Sequence, residues 1–124
     1  MAAARCNWWP FPDNHLMPKQ ITPSDLSVRM GAGQSILLLD VRDPEEHAFA
    51  KIHGSMLIPL AELIGRVGEV EPPDDVPIVV YCHHGIRSAT GAALLERAGH
   101  ANVLSLAGGI DAWSCEVDPS VPRY

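Results

Sequence analysis

The sequence is poor in cysteine, in long apolar runs and in positive charge, and each shortage narrows what the protein can be. Its 124 residues include three cysteines, an odd and low number that does not indicate a disulfide framework. No run approaches the roughly 18 apolar residues that a membrane span needs, and polar residues and prolines interrupt the N-terminus, so we expect neither a span nor a secretory signal. A reducing, cytoplasmic setting is the simplest expectation.

The charge balance limits the choice of partners. Nine lysines and arginines face fifteen aspartates and glutamates, which gives a formal net charge of −6. This balance argues against nucleic acid or an anionic membrane surface as the main partner, although a site on an acidic protein can be locally positive. With 47% hydrophobic and 19% charged residues, the chain has the composition of one ordinary globular domain.

The beginning of the chain differs from the rest. Residues 1–18 contain Trp8, Trp9 and several prolines without a helical or strand period. We interpret them as an N-terminal extension whose aromatic rings dock on the domain or bind a partner. Residues 19–124 form the predicted domain, in which apolar runs alternate with helical segments. This alternation is typical of an α/β protein with an open parallel sheet.

Capping residues and short apolar runs locate the elements. One helix is predicted to begin after Thr22 and to end near Gly31 or Gly33, and another to begin after Asp43 with Glu46 in a capping box. The predicted strands are Ile36–Leu39, Ser55–Ile58, Pro77–Tyr81 and Val103–Leu106, and further helices begin at about Leu60, Ser88 and Ile110. Open sheets of this kind bind ligands beyond the carboxyl ends of their strands.

The polar loop after the third of these strands is the most informative stretch. Cys82 lies where the strand stops and a helix is about to begin, and Gly85 permits a positive φ in the turn. Inward-pointing amides, the positive end of the helix and the charge of Arg87 all favour a thiolate at Cys82 and a cradle for an anion. We therefore predict that Cys82 is a nucleophile, and interpret Cys6 and Cys115 as structural.

The two histidines beside this cysteine do not indicate a metal site. His83 and His84 are adjacent in a tight loop, and no second group of ligands with a known spacing accompanies them. We expect no metal and no cofactor, and interpret both side chains as rim residues that contact a donor or face solvent. The remaining histidines are interpreted as structural: His15, His47, His53 and His100.

Four segments resemble the rhodanese (sulfurtransferase) family, in the order in which that family carries them. They are Leu39–Glu46, which contains Asp40-Val41-Arg42, Gly54–Leu60, Cys82–Ser88 and Leu106–Trp113. The tail, Val117–Tyr124, is similar to the ending of rhodanese domains fused to ubiquitin-activating-like adenylating enzymes. The sequence departs from the family at Lys51 and His53, where histidine and proline are common.

The resemblance implies a five-stranded, mainly parallel sheet with helices on both faces, and sulfur transfer through a persulfide. Cys82 would attack the outer sulfur of a thiosulfate-like anion and pass it to a thiol, a protein or another thiophilic acceptor. The loop residues expected to bind the substrate are His83, His84, Gly85, Ile86, Arg87 and Ser88. Asp40 and Arg42 would support the site from behind, and Arg42 is expected to pair with Glu46, either within the site or as a surface ion pair of little energetic worth.

Two alternative functions stay open. Rhodanese-fold phosphatases and arsenate reductases also pair a loop cysteine with an arginine, but five residues separate the two there and only four separate Cys82 from Arg87. The tighter loop suits one sulfur atom better than a tetrahedral phosphate. A docking or sulfur-relay module is the other alternative, although the presence of Cys82 favours an enzyme. The sequence identifies neither the physiological donor and acceptor nor the oligomeric state.

Overall fold

Five parallel strands form the centre of the structure, a computed structural model that describes residues 18–124. The strands are β1 (Lys19–Ile21), β2 (Leu37–Asp40), β3 (Met56–Leu57), β4 (Ile78–Tyr81) and β5 (Val103–Leu106). The helices are α1 (Pro23–Gly31), α2 (Pro44–Phe49), α3 (Leu60–Arg66), α4 (Ile86–Arg97) and α5 (Gly109–Glu116), and a 3-10 turn, Val67–Glu69, follows α3. The sheet order is β1-β5-β4-β2-β3, and each neighbouring pair is parallel. The predicted α/β class is confirmed.

The observed elements differ from the predicted ones mainly at one edge and at one helix start. The residues themselves did not point to β1, a short edge strand in which only Ile21 is buried. The fourth helix begins at Ile86 rather than Ser88, because Gly85 adopts a φ of 113° and serves as its N-cap residue. At α1 the predicted cap is confirmed, since Thr22 Oγ1 accepts a hydrogen bond from Asp25 N at 3.1 Å.

The proposed extension falls almost wholly outside the described residues. Cys6, Trp8, Trp9 and His15 all lie there, so the division of the chain at residue 18 stays a prediction. Within residues 18–124, none of the helices has the length and apolar character required to cross a membrane. In the same part of the chain, no three His, Cys, Asp or Glu side chains are grouped so that they could hold a metal ion.

Side chains of β4 alternate between two apolar clusters. Val79 and Tyr81 pack on one face of the sheet, together with residues of α1 and α5 that include Leu26, Ile110 and Trp113. Ile78, Val80 and Cys82 pack on the other face, together with residues of α3 and α4 that include Leu63, Ala92 and Leu95. Burial on both faces explains the unbroken apolar sequence of this strand. Cys82 continues the alternation beyond the end of β4 and so faces α4.

Small residues allow α4 to approach the sheet closely. Ala89, Gly91 and Ala92 are buried against it, and Ala93 is half-buried. A methyl group added at Gly91 would lie 3.4 Å from a methyl group of Val41 on the neighbouring segment and 3.4 Å from one of Val80. This close approach brings the first turn of α4 to the carboxyl end of β4, where the polar loop lies.

The packing at Gly91 predicts a size limit. Gly91→Ala should change the free energy of unfolding by less than about 1 kcal/mol, because the better helix propensity of alanine offsets the tight contact. Gly91→Leu should lower it by roughly 1–3 kcal/mol, because the longer side chain overpacks the contact with the sheet. Urea denaturation of both variants tests this expectation, and a leucine variant as stable as the alanine variant would contradict it.

Candidate active site

The loop between β4 and α4 is held from outside by the start of α5. Ile110 N donates to the carbonyl oxygen of Cys82 at 2.8 Å, and Asp111 N donates to that of His83 at 3.1 Å. Both donors belong to the first turn of α5, whose amides have no acceptor within their own helix. These two hydrogen bonds tie the beginning of the loop to the first turn of α5.

Two glycines allow α5 to make these contacts. Gly108 and Gly109 have φ values of 74° and 62°, in the left-handed region that favours glycine. A methyl group on Gly109 would overlap the carbonyl oxygens of both Cys82 and His83. The turn at Gly108-Gly109 is therefore the point at which α5 meets the active-site loop, and a side chain at Gly109 would push the two apart.

Two backbone amides donate hydrogen bonds to the sulfur of Cys82. Gly85 N lies 3.1 Å from Sγ, and Ser88 N lies 3.2 Å from it. Since Gly85 has no side chain with which to cap α4, Sγ accepts the amide hydrogen of the third helical residue, as a capping oxygen would. These donors and the positive end of the helix stabilise negative charge on sulfur. Cys82 is only 1% exposed, so a reacting atom must reach it without bulky substituents.

A pair of buried serines holds the first turn of α4 in place. Ser88 Oγ donates to the carbonyl oxygen of Gly85 at 3.0 Å and lies 2.8 Å from Ser105 Oγ of β5. Because the single hydroxyl hydrogen of Ser88 points to Gly85, Ser105 donates to Ser88. Sequence reasoning missed Ser105. The available signal was a serine within the otherwise apolar strand Val103–Leu106, where a buried hydroxyl needs a partner.

Asp40 and Arg42 form a fully buried ion pair at the carboxyl end of β2. The backbone N and Nε of Arg42 donate to Asp40 Oδ1 at 3.0 and 2.9 Å, and Nη2 donates to Oδ2 at 2.7 Å. His47 Nδ1 lies 2.8 Å from Oδ2, and Nη2 of Arg42 also donates to the carbonyl oxygen of Ala50. Burial opposes the charge of Arg42, but hydrogen bonds with Asp40 and Tyr124 outweigh it and raise the pKa of Arg42.

The expected pair between Arg42 and Glu46 does not form, and this prediction was wrong. Arg42 folds back on Asp40, because its backbone amide already binds that carboxylate and brings the guanidinium beside it. Glu46 binds Arg87 instead, with Nη1 2.7 Å from Oε2 and Nη2 3.0 Å from Oε1. The sequence could not reveal this partner, since α2 and α4 come together only through the fold.

The carboxylate of Glu46 accepts four hydrogen bonds. Two come from Arg87, one from the Tyr124 hydroxyl at 2.7 Å and one from Asp43 N at 3.1 Å, the last being part of the predicted capping box. The hydrogen bonds from Arg87, followed by those from Tyr124 and Asp43, overcome the effect of burial and lower the pKa of Glu46 to about 2. Glu46 is therefore ionised at neutral pH and neutralises the charge of Arg87, which was expected to be free for an anion.

Tyr124 connects the tail to this charged group and to the rim of the loop. Its hydroxyl accepts from Arg42 Nη1 at 2.7 Å and donates to Glu46. Burial, and then the contact with Glu46, raises the pKa of Tyr124 to about 12, so the hydroxyl keeps its hydrogen at neutral pH. The ring stacks on His83 with centroids 3.9 Å apart, and His83 stacks on His84, also at 3.9 Å. Sequence reasoning linked Tyr124 to no function, although its tail resembled a family ending.

The predicted substrate-binding residues occupy three different positions. Gly85 and Ser88 donate to the sulfur, whereas Arg87 lies against Glu46. His84 and Ile86 are exposed at the rim, and His83 lies half-buried between His84 and the ring of Tyr124. Burial, and then the nearby His84, lowers the pKa of His83, which keeps that imidazole neutral at neutral pH. The interpretation of Cys115 as a buried structural cysteine was wrong, because its side chain is exposed on α5.

Comparison with known proteins agrees with this architecture. The profile of the family described as "Rhodanese-like domain" matches residues 22–116. The chain is 36% identical over 104 residues to a Mycobacterium tuberculosis protein named probable adenylyltransferase/sulfurtransferase MoeZ, a match that covers 84% of this chain but only 26% of that protein's length. It is also 36% identical over 98 residues to an Allochromatium vinosum protein named sulfurtransferase, covering 79% of this chain and 90% of that one.

A solved structure shows the same fold. The crystal structure of a rhodanese-related protein from Thermoplasma volcanium superimposes with a TM-score of 0.72 and 33% sequence identity. The match covers 86% of this chain and 99% of the other. The resemblance inferred from the four sequence segments is therefore confirmed.

The contact between α5 and the loop can be tested at Gly109. Gly109→Ala should lose about 1–2 kcal/mol of unfolding free energy through its positive φ. It should lose a similar amount again through overlap with the loop carbonyl oxygens, and it should alter the alkylation rate of Cys82. Urea denaturation and peptide mapping after iodoacetamide treatment measure the two effects.

Gly99→Ala is the matched control for this variant. Gly99 also has a positive φ, 108°, but a methyl group added there meets nothing within 4 Å. It should therefore show the backbone penalty alone and leave Cys82 unchanged. If the two variants were equally stable and equally reactive, the contact with α5 would have no influence on the loop.

The pairing of Glu46 predicts a pH dependence of stability. The folded pKa of Glu46 is about 2 against an ordinary value of 4.5. A carboxyl group with a lowered folded pKa stabilises the fold above its unfolded pKa, and this contribution disappears as the pH falls through the folded value. The stability difference between the wild type and Glu46→Gln should thus be constant near neutral pH and shrink between pH 4.5 and about 2.

Urea denaturation at a series of pH values measures this difference. Glu45→Gln is the control, because Glu45 is exposed on the same helix and has no ion-pair partner among the residues that the structure describes. Its stability difference from the wild type should stay nearly flat over the same window. A flat profile for Glu46→Gln as well would show that the pair with Arg87 contributes nothing to stability.

Proposed function

The chain belongs to the rhodanese-like domain family, and from this we infer that it is a sulfurtransferase which carries the transferred sulfur on Cys82 as a persulfide. The observation that carries the proposal is the pair of amides, from Gly85 and Ser88, that donate to Sγ. They stabilise a thiolate before the reaction and a sulfur anion after it. The names of the sulfurtransferase relatives from two bacteria support the same reaction class.

The reaction proceeds in two steps, one with the sulfur donor and one with the acceptor. The thiolate of Cys82 attacks the outer sulfur of a thiosulfate-like anion, a new sulfur–sulfur bond forms, and the bond within the donor breaks. The electron pair of the broken bond leaves with sulfite, and the terminal sulfur of the persulfide carries the negative charge. A thiophilic acceptor, such as cyanide or a thiol, then takes the terminal sulfur and restores the thiolate. Ping-pong kinetics follow from this division.

The burial of Cys82 favours a bare terminal sulfur as the atom that it attacks. With only 1% of the residue exposed, an unsubstituted sulfur at the end of a small donor reaches Sγ more easily than a central atom surrounded by oxygens. Thiosulfate is the smallest donor of this type, and we propose it as a substrate on chemical grounds. A protein-borne thiol or persulfide is proposed as the physiological partner. A reducing compartment keeps such a thiol free of disulfides, which fits the cytoplasmic location expected from the cysteine content.

A phosphatase or arsenate reductase is less well supported by the loop. Those reactions need several amides directed at the oxygens of a tetrahedral anion. Here two amides of the short loop are bound to the sulfur itself, and Arg87 is paired with Glu46. Release of an aryl alcohol from an aryl phosphate, lost on Cys82→Ser substitution, would reverse this preference.

Mass spectrometry of the intact protein tests the proposed function. After incubation with thiosulfate, the wild type should gain the mass of one sulfur atom and lose it again on addition of cyanide. Cys82→Ser should show no gain, because the hydroxyl oxygen is a poor nucleophile toward sulfur. Cys115→Ser is the control and should behave as the wild type, since it removes an exposed thiol outside the loop.

Each result of this experiment has a defined meaning. A sulfur gain that survives in Cys82→Ser would assign the chemistry to another cysteine. No gain in any variant, with thiosulfate or with a cysteine desulfurase as donor, would favour a docking module over an enzyme.

A further inference from the structure

Every arginine near the active-site loop is paired with a carboxylate in the part of the chain described here. Arg42 is paired with Asp40, Arg87 with Glu46 and Arg123 with Asp111. The loop itself carries no other cation except when a histidine is protonated, and burial lowers the pKa of His83. The mouth of the site therefore has almost no net positive charge, although the sequence alone suggested a cationic cradle.

Of these three ion pairs, the one between Arg87 and Glu46 affects the reacting sulfur. The hydrogen bonds that Arg87 donates to Glu46 raise the pKa of Arg87, and the nearby sulfur of Cys82 adds to the same effect. Each terminal nitrogen of Arg87 gives one hydrogen to Glu46, so each keeps a second hydrogen, and Nε keeps its own. With 36% of its side chain exposed, Arg87 can still bind a donor anion, but its charge is already balanced.

A donor that binds Arg87 must therefore also approach the carboxylate of Glu46. Like charges at this range repel, and the repulsion grows with the charge on the donor. Glu46 cannot escape it by taking up a proton, because four hydrogen bonds hold the carboxylate in its ionised form. Tyr124 and Asp43 fix the carboxylate in position, so it does not swing away from the guanidinium when an anion arrives.

We propose that Glu46 is a specificity-determining residue that acts through Arg87 and disfavours doubly charged sulfur donors relative to singly charged ones. The inference rests on the proposed sulfur transfer and names the donor class that the site prefers. A thiolate-terminated persulfide or thiosulfonate, with one negative charge, meets half the repulsion that thiosulfate meets. Glu46 touches neither the sulfur nor the donor's reacting bond, and it alters selectivity only by balancing the charge of Arg87.

Two donors of almost equal shape and different charge provide the test. Thiosulfate carries two negative charges, and methanethiosulfonate carries one, because a methyl group replaces a charged oxygen. With cyanide as acceptor, Glu46→Gln should raise kcat/KM for thiosulfate about fivefold, mainly through a lower KM. It should raise kcat/KM for methanethiosulfonate only about twofold, because a donor with one negative charge gains half as much interaction free energy as a donor with two. The ratio of kcat/KM for thiosulfate to kcat/KM for methanethiosulfonate should return toward the wild-type value at high ionic strength.

Glutamine at position 46 keeps the size of the side chain and its capping contact, while it removes the negative charge beside Arg87. Its side-chain oxygen can still accept from Asp43 N, since glutamine suits the same capping position, and circular dichroism checks the fold. Glu45→Gln is the matched control, because it makes the same change in net charge on the same helix without touching Arg87. An equal change of the donor ratio in Glu45→Gln would assign the effect to overall charge and overturn the proposal.

Other results overturn it as clearly. A similar loss with both donors in Glu46→Gln would show that Glu46 merely holds Arg87 in position, and no change with either would remove Glu46 from donor selection.

A binding measurement separates this inference from the proposed function. In the Cys82→Ser background, where no sulfur is transferred, isothermal titration with thiosulfate should show about fivefold tighter binding when Glu46→Gln is added. If the wild type forms no persulfide but the double variant binds thiosulfate more tightly, the proposed transfer fails and the charge inference holds. If the persulfide forms but the two affinities are equal, the charge inference fails alone.

Discussion

Two hydrogen bonds from the first turn of α5 to the carbonyl oxygens of Cys82 and His83 determine the shape of the active-site loop. Helix termini always have unpaired amides, and here the unpaired amides of one helix bind the loop that begins another. The loop can then turn the amides of Gly85 and Ser88 to the sulfur, which becomes the cap of α4. The sulfur of Cys82 is thus part of the structure that positions it.

A second chain of contacts controls the charge around this loop. It runs from the buried pair of Asp40 and Arg42 through the Tyr124 hydroxyl to Glu46, and from there to Arg87. The contacts join the end of β2, helix α2, the tail and the start of α4. Each charged group in this series of contacts has an opposite charge or a hydrogen-bond donor beside it, which makes its burial tolerable. The polar character of the site therefore comes from backbone amides more than from free cations.

Local signals predicted most of the fold, because they depend on a few neighbouring residues. The cap at Thr22, the strand Val103–Leu106 and the positive φ of Gly85 follow from side-chain size and hydrogen-bonding capacity alone. The short strand β1 escaped prediction because its first two residues are polar and the strand it pairs with, β5, lies far away in sequence. An edge strand depends on its partner more than on its own composition.

By itself the sequence determined the class of fold, the position of Cys82 between strand and helix, and the family to which the chain belongs. These properties reside in contiguous residues, so a pattern of apolar runs, caps and glycines is enough to identify them. Only the tertiary structure decided that Arg87 pairs with Glu46, that Ser105 supports Ser88, and that Tyr124 lies over the loop. Each of these contacts joins residues from elements distant in sequence, and a side chain selects its partner by the distance and burial that the packed sheet and helices create.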